Sequence, residues 1–148
     1  MRRARCVHSS RVREAAFFFY GTLMQREVLS KVLGRRVWPR MLTPARLAGY
    51  RRVAVRGASY PVVLPQRGAS VMGLILQSVT RAERARLCAY EGDGYELASA
   101  VAELPAKRRR LVFLFRPKLG ALTVTRKPWS LSRWRLHQNF IPDERLGC

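Results

Sequence analysis

Phe17-Phe18-Phe19-Tyr20-Gly21-Thr22-Leu23-Met24 reads as a strand that runs through a bend into a helix. Phe17 to Tyr20 are apolar or aromatic and suit a buried strand. Gly21 permits a sharp change of direction at its exit. Thr22 is suited to cap a helix. From Leu23 the spacing turns helical, with Val28, Leu29, Val32 and Leu33 returning to one face, and Gly34 is a fitting stop. A strand that ends in Gly-Thr at a helix start gathers free backbone N–H groups at one spot, which attracts a carboxylate or phosphate. Read locally, the same residues also serve as an ordinary strand-to-helix connection.

Working outward, Pro39 and Pro44 mark an irregular connection, and 45–56 reads as a strand with Leu47, Val53 and Val55 among arginines. Pro61 breaks it by removing a ladder donor and restricting Tyr60. Val62-Val63-Leu64 is a short strand closed by Pro65 and a turn at 66–68. Ser70–Val79 is a central strand in which Gly73 predicts a bulge or a close approach. Thr80 and Glu83 form a capping box for a helix over 81–90, whose Ala82, Ala85, Leu87 and Cys88 are expected on the core side. Gly92 and Gly94 end it. Tyr95–Leu104 and Leu111–Phe115 make a hairpin, 116–128 a loop, and 131–140 a last helix with Trp134, His137 and Phe140 on one face. His137 reads as a packed or surface histidine.

The resulting order, β-α-β-β-β-α-β-β-α, predicts an α+β fold: a small mixed β-barrel with helices packed outside. The 148 residues suit a single domain, expected over 16–140 between a basic tail, 1–15, and a tail at 141–148. No apolar run approaches the roughly 20 residues of a membrane helix, and 1–15 lacks the apolar centre of a secretory signal. The three cysteines, Cys6, Cys88 and Cys148, are odd in number and widely spaced. They predict neither a disulfide framework nor a metal site, and a cytoplasmic location.

The charge balance is the other salient feature: 29 basic against 9 acidic residues, +20 in all. Such a surface attracts nucleic acid or another anionic surface in a salt-sensitive way. A coding bias that fills solvated positions with arginine accounts for the same surplus. No RNA-binding signature or zinc-finger spacing sharpens the nucleic-acid reading.

Five segments together carry a family resemblance. Phe19-Tyr20-Gly21-Thr22-Leu23-Met24 resembles the Y-G-T-L signature of the gamma-glutamylcyclotransferase-like superfamily, in its AIG2-like branch. Residues 44–52 are similar to that branch's P-A-x-L-x-G-Y-x-R, 57–61 to G-x-x-Y-P, and 71–74 to the start of V-x-G-x-L. Leu87-Cys88-Ala89-Tyr90-Glu91-Gly92 with Tyr95 resembles L-D-x-F-E-G-x-x-Y. The likeness implies an enzyme that releases 5-oxoproline from a small γ-glutamyl amine or amide, without metal or organic cofactor. It implies that Tyr20, Gly21, Thr22 and Leu23 line the substrate pocket and that Glu91 is the acid and base. Tyr60 and Tyr95 are candidates to orient substrate through their hydroxyls, with core packing as the other role open to each. The chain departs from the pattern at Cys88, where the family has Asp, and at Glu96, where a basic residue is usual. A non-catalytic member of the fold, binding an anionic ligand or nucleic acid through its basic surface, is the alternative. Neither substrate identity nor oligomeric state is legible.

The Glu91 assignment also has a chemical basis. The α-amine of a γ-glutamyl compound must attack its own γ-carbonyl, and an ammonium cannot attack. A base must take a proton, and the departing amine must receive one. One carboxyl does both if partial desolvation moves its pKa toward neutrality.

Overall fold

Ala15–Phe19 forms strand β1, and all five of its residues are buried. A strand buried on both faces must be covered on both, which is why it reads as an unbroken apolar run. Alternate residues feed two separate cores. Ala16 and Phe18, with Tyr20 just past the end of the strand, join Leu47, Ile75 and Leu114 in one cluster, the barrel interior. Ala15, Phe17 and Phe19 join Leu29, Leu33 and Leu87 in a second cluster, between the barrel wall and two helices. These statements come from a computed structural model that describes residues 15–118, 120, 122 and 124–138. The tails expected at either end, with Cys6, Phe140 and Cys148, lie outside the described residues apart from Ala15, which opens β1.

The other elements are helix α1 (Arg26–Leu33), β2 (Leu42–Val55), β3 (Pro61–Val79), α2 (Arg81–Glu91), β4 (Tyr95–Glu103), β5 (Arg109–Pro117), β6 (Val124–Pro128) and α3 (Leu131–Gln138). The sheet runs β3-β1-β5-β4-β2 and closes because β2 also pairs with β3. The result is the small mixed barrel expected, closed by five strands, with β1 antiparallel to β3 and parallel to β5. α1 and α2 pack outside it. No helix among the described residues is long and apolar enough to cross a membrane.

Four local expectations are corrected. Thr22 does not cap α1: Thr22–Met24 is a separate turn of 3₁₀ helix with Gly21 before it, and Gln25 precedes α1. The Thr22 hydroxyl instead lies 3.1 Å from the Tyr90 hydroxyl. The strands expected at 62–64 and 70–79 are one strand, β3. Its pairing with β2 runs from Leu42↔Leu76 to Ala48↔Ser70, skips, and resumes at Tyr50↔Pro65. Gly49 and Gly68, both at φ 83, let the two chains loop out and pair again with the same neighbour. Ala82, Ala85 and Cys88 are exposed, whereas Glu83 and Leu87 are buried on α2. The capping box holds Glu83 inward, and Arg35 Nε meets its carboxylate at 2.5 Å. Burial alone would raise the Glu83 carboxyl, but Arg35 and the Thr80 amide outweigh it and hold it below its ordinary range. Finally, β6 occupies part of the expected loop 116–128. It pairs with β2 outside the closed ring, at Val53↔Pro128 and Val55↔Val124.

Gly73 answers the close approach predicted for it. A β-carbon there would collide with the Phe19 carbonyl and the Phe18 ring across the β1–β3 pair. Gly73→Ala is therefore expected to lower stability by about 1–3 kcal/mol, as overpacking does. Urea unfolding measures it, and an unchanged midpoint would show that β1 leaves room for a side chain on β3 at this position.

Candidate active site

β1 ends at Phe19 and delivers Tyr20 into the barrel interior, where its hydroxyl donates to the Phe115 carbonyl at 2.5 Å. The main chain then turns. Met24 N–H donates to Gly21 O and Gln25 N–H to Thr22 O, each at 3.0 Å. A 3₁₀ turn leaves its first N–H groups without an internal partner, so the amides at Thr22 and Leu23 take no part in the turn's own hydrogen bonds. Gly21 is pressed against Pro61: a β-carbon would come within 3.1 Å of that ring. Arg52 holds the bend from behind, its Nη1 donating to the Tyr20 carbonyl at 2.9 Å.

Glu91 arrives from elsewhere in the chain as the last residue of α2, with Gly92 at φ 80 turning the backbone away. Glu83, Leu87 and Glu91 recur every fourth residue and share one helix face. Leu87 anchors that face in the core, so the C-terminal glutamate is carried to the barrel wall. Burial pushes the Glu91 carboxyl up to about 7. A carboxylate at a helix C-terminus also lacks the favourable dipole that it would meet at the other end.

The bend and the acid line one small cavity of about 30 Å³, together with Tyr60, Pro61, Tyr95 and Phe115. All seven residues singled out in the sequence are in its wall: Tyr20, Gly21, Thr22, Leu23, Tyr60, Glu91 and Tyr95. Tyr95 donates its hydroxyl to the Pro61 carbonyl at 2.9 Å, and its ring lies 6.0 Å from that of Tyr60. Burial, and then the nearby Glu91 charge, push the hydroxyls of Tyr20 and Tyr95 well above the ordinary tyrosine range. Both phenols therefore stay protonated, and both already donate to main-chain carbonyls.

Neither residue at which the sequence departs from the family pattern lines the cavity. Cys88 is exposed on α2. Glu96 pairs with Arg116 Nε at 2.8 Å on the β4–β5 hairpin. Sequence reasoning missed other contributors. Arg52 lies in the family-like segment 44–52 but looked like one arginine among many. Trp129 had no signal at all; its Nε1 donates to the Ser59 carbonyl at 2.9 Å and the Arg52 guanidinium sits 5.6 Å from its ring centre.

Comparison with known proteins bears on the family and the fold. A sequence model of the family described as gamma-glutamyl cyclotransferase, AIG2-like, matches residues 17–135. AIG2-like protein A of Arabidopsis thaliana is 34% identical over 79 residues, which is 53% of this chain and 46% of that protein. AIG2-like protein B of the same plant is 29% identical over 79 residues, 53% of this chain and 44% of its own length. The chain thus matches rather less than half the length of these curated relatives. Among solved structures, an Arabidopsis thaliana protein in solution superposes with a TM-score of 0.67 at 24% identity, covering 86% of this chain and 85% of its own. A structure described as gamma-glutamyl cyclotransferase superposes at 0.60 with 10% identity, covering 91% and 92%. A yeast protein described as a gamma-glutamyl cyclotransferase specific to glutathione reaches 0.61 at 11% identity, covering 87% and 88%. At such identities the structural likeness establishes the fold.

Proposed function

Because the chain belongs to the gamma-glutamyl cyclotransferase, AIG2-like family, we propose that it releases 5-oxoproline from a γ-glutamyl amine or amide, with Glu91 as acid and base. The observation that carries this reading is that Glu91 and the bend at Gly21, Thr22 and Leu23 line one cavity.

In this mechanism the amides at Thr22 and Leu23 hold the substrate carboxylate, which fixes the γ-glutamyl head. Glu91 takes a proton from the α-ammonium. The freed amine attacks the γ-carbonyl, so a nitrogen–carbon bond forms and closes the five-membered ring. The bond from that carbon to the departing amine then breaks. Glu91 returns its proton to the leaving nitrogen, and the second proton shed by the attacking nitrogen follows the same route. Tyr20 and Tyr95 supply oxygen lone pairs toward the ammonium while each keeps its own proton and donates it to the carbonyl of Phe115 and Pro61, respectively. A cavity of about 30 Å³ holds little more than one water, so substrate entry displaces part of its wall.

Incubation of the purified chain with a panel of γ-glutamyl amines and dipeptides, read by mass spectrometry, tests the proposal. Release of 5-oxoproline above the enzyme-free blank is expected from at least one of them. No release from any would overturn it.

The charge of +20 favours a second activity, binding of nucleic acid through the basic surface. Affinity for a generic RNA is then expected to fall steeply and linearly on logarithmic axes of salt. Absence of binding at low salt removes that reading and leaves the cyclising reaction untouched.

A further inference from the structure

A second hollow, of about 720 Å³, lies away from the Glu91 cavity, between the C-terminal end of α1, the N-terminal end of α2 and the β2–β3 pair. No residue lines both hollows. The second one therefore has its own chemistry, independent of the proposed reaction.

Its charged groups are Arg35, Arg40, Arg86 and Glu83. Glu83 is fully engaged: one oxygen accepts from Arg35 Nε at 2.5 Å and the other from the Thr80 amide at 3.0 Å. Arg86 ties α2 to α1 by donating Nη1 to the Leu33 carbonyl, which leaves its second terminal nitrogen available. Arg40 is exposed and, among the described residues, makes no hydrogen bond or ion pair. Three guanidiniums less one carboxylate leave two positive charges in a concave wall. A phosphate monoester carries about −1.5 to −2 at neutral pH, and guanidinium forks match its oxygens.

The hollow is much larger than a bare phosphate and falls within the ordinary size of a small-molecule site, about 300–1,000 Å³. Half-buried Met41 gives it an apolar side, with buried Leu33 and Leu76 beneath. Ser78 supplies a hydroxyl from a backbone held at φ 58, a strained conformation for a non-glycine residue. We propose that this groove binds a phosphate monoester borne on a small organic body. Arg40 and Arg86 grip the phosphate, and the body lies against Met41.

Calorimetric titration of the full chain at about 0.15 M salt, where diffuse attraction is screened, tests this. The probes are adenosine 5′-monophosphate, glucose 6-phosphate, inorganic phosphate and adenosine. At least one monoester is expected to saturate at one per chain, and to bind at least about tenfold more tightly than either phosphate or adenosine alone. Arg40→Gln/Arg86→Gln is expected to weaken that probe at least about tenfold, and Arg40→Gln alone, which keeps the tie between the helices, at least about threefold. Arg108→Gln/Arg109→Gln removes the same charge from the β4–β5 turn and is expected to change affinity less than about twofold. Failure of both monoesters to saturate overturns the proposal. So does an equal loss in the two double variants, which would mean only a diffuse field. Adenosine binding as tightly as its monophosphate removes the phosphate site, and phosphate binding as tightly removes the organic body.

Discussion

Glu91→Gln is expected to slow 5-oxoproline release by about 10²–10⁴-fold, the usual worth of a positioned acid or base. Glutamine keeps the shape and hydrogen-bonding size of the side chain but cannot carry the proton. In the wild type, log kcat/KM is expected to rise with pH and level off above about 7, as the buried carboxyl ionises and becomes competent to take a proton. The variant loses that inflection. Stability moves the other way. An unfolded glutamate ionises near 4.5, and the folded one near 7. Below the lower value both states are protonated and there is no penalty. Between the two, the unfolded state loses its proton first, so wild-type stability falls as pH rises. By pH 8 the cost reaches up to about 3 kcal/mol, at about 1.4 kcal/mol per unit. Glutamine escapes it. The variant should therefore unfold later than wild type at pH 8 and at the same point at pH 4, by urea titration. Equal activity of the two proteins, or a variant less stable at pH 8, contradicts the role given to Glu91.

Phe17→Ala is expected to destabilise the chain by about 3–5 kcal/mol, as large-to-small changes at fully buried aromatics do. Phe17 has no exposed surface. Its ring lies 5.7 Å from that of Phe113, 6.0 Å from Phe115 and 6.3 Å from Phe19. It therefore seals the seam between β1 and β5, under the helices. The same seam carries the Phe115 carbonyl that receives the Tyr20 hydroxyl. Loss of the ring should loosen the strand that presents the bend, and thermal unfolding should show the full drop. A shift below about 1 kcal/mol would mean that β1 is not buried on both faces.

Those two residues also mark what a sequence makes visible. The run from Phe17 to Tyr20 is apolar without alternation, which belongs to a strand covered on both sides, and β1 is one. Gly21 and Glu91 stand in fixed motifs, and the fold brings both to one cavity although β2 and β3 separate them in sequence. What stayed hidden depends on partners distant in the chain. The α2 face was misjudged because alanine spacing suggested burial, whereas the tie from Arg35 to Glu83 sets the rotation of the helix. Arg35 lies 48 residues earlier, and no local pattern announces it. Pro65 and Gly68 carry every mark of a turn, yet β3 continues, because Gly49 on the facing strand yields at the same place. β6 is short, basic and at an edge, with no apolar alternation to betray it. The Thr22 hydroxyl met Tyr90 rather than its own helix, a contact decided by where α2 ends.

The most direct measurement is a ¹³C NMR titration of the glutamate side-chain carboxyls in the wild-type chain, with Glu91→Gln to assign the resonance. The Glu91 carboxyl is expected to titrate at about 7, well separated from an ordinary exposed glutamate. A midpoint near the ordinary value of 4.5 would mean that the acid faces water rather than the cavity, and the proposed proton transfer would have no carrier.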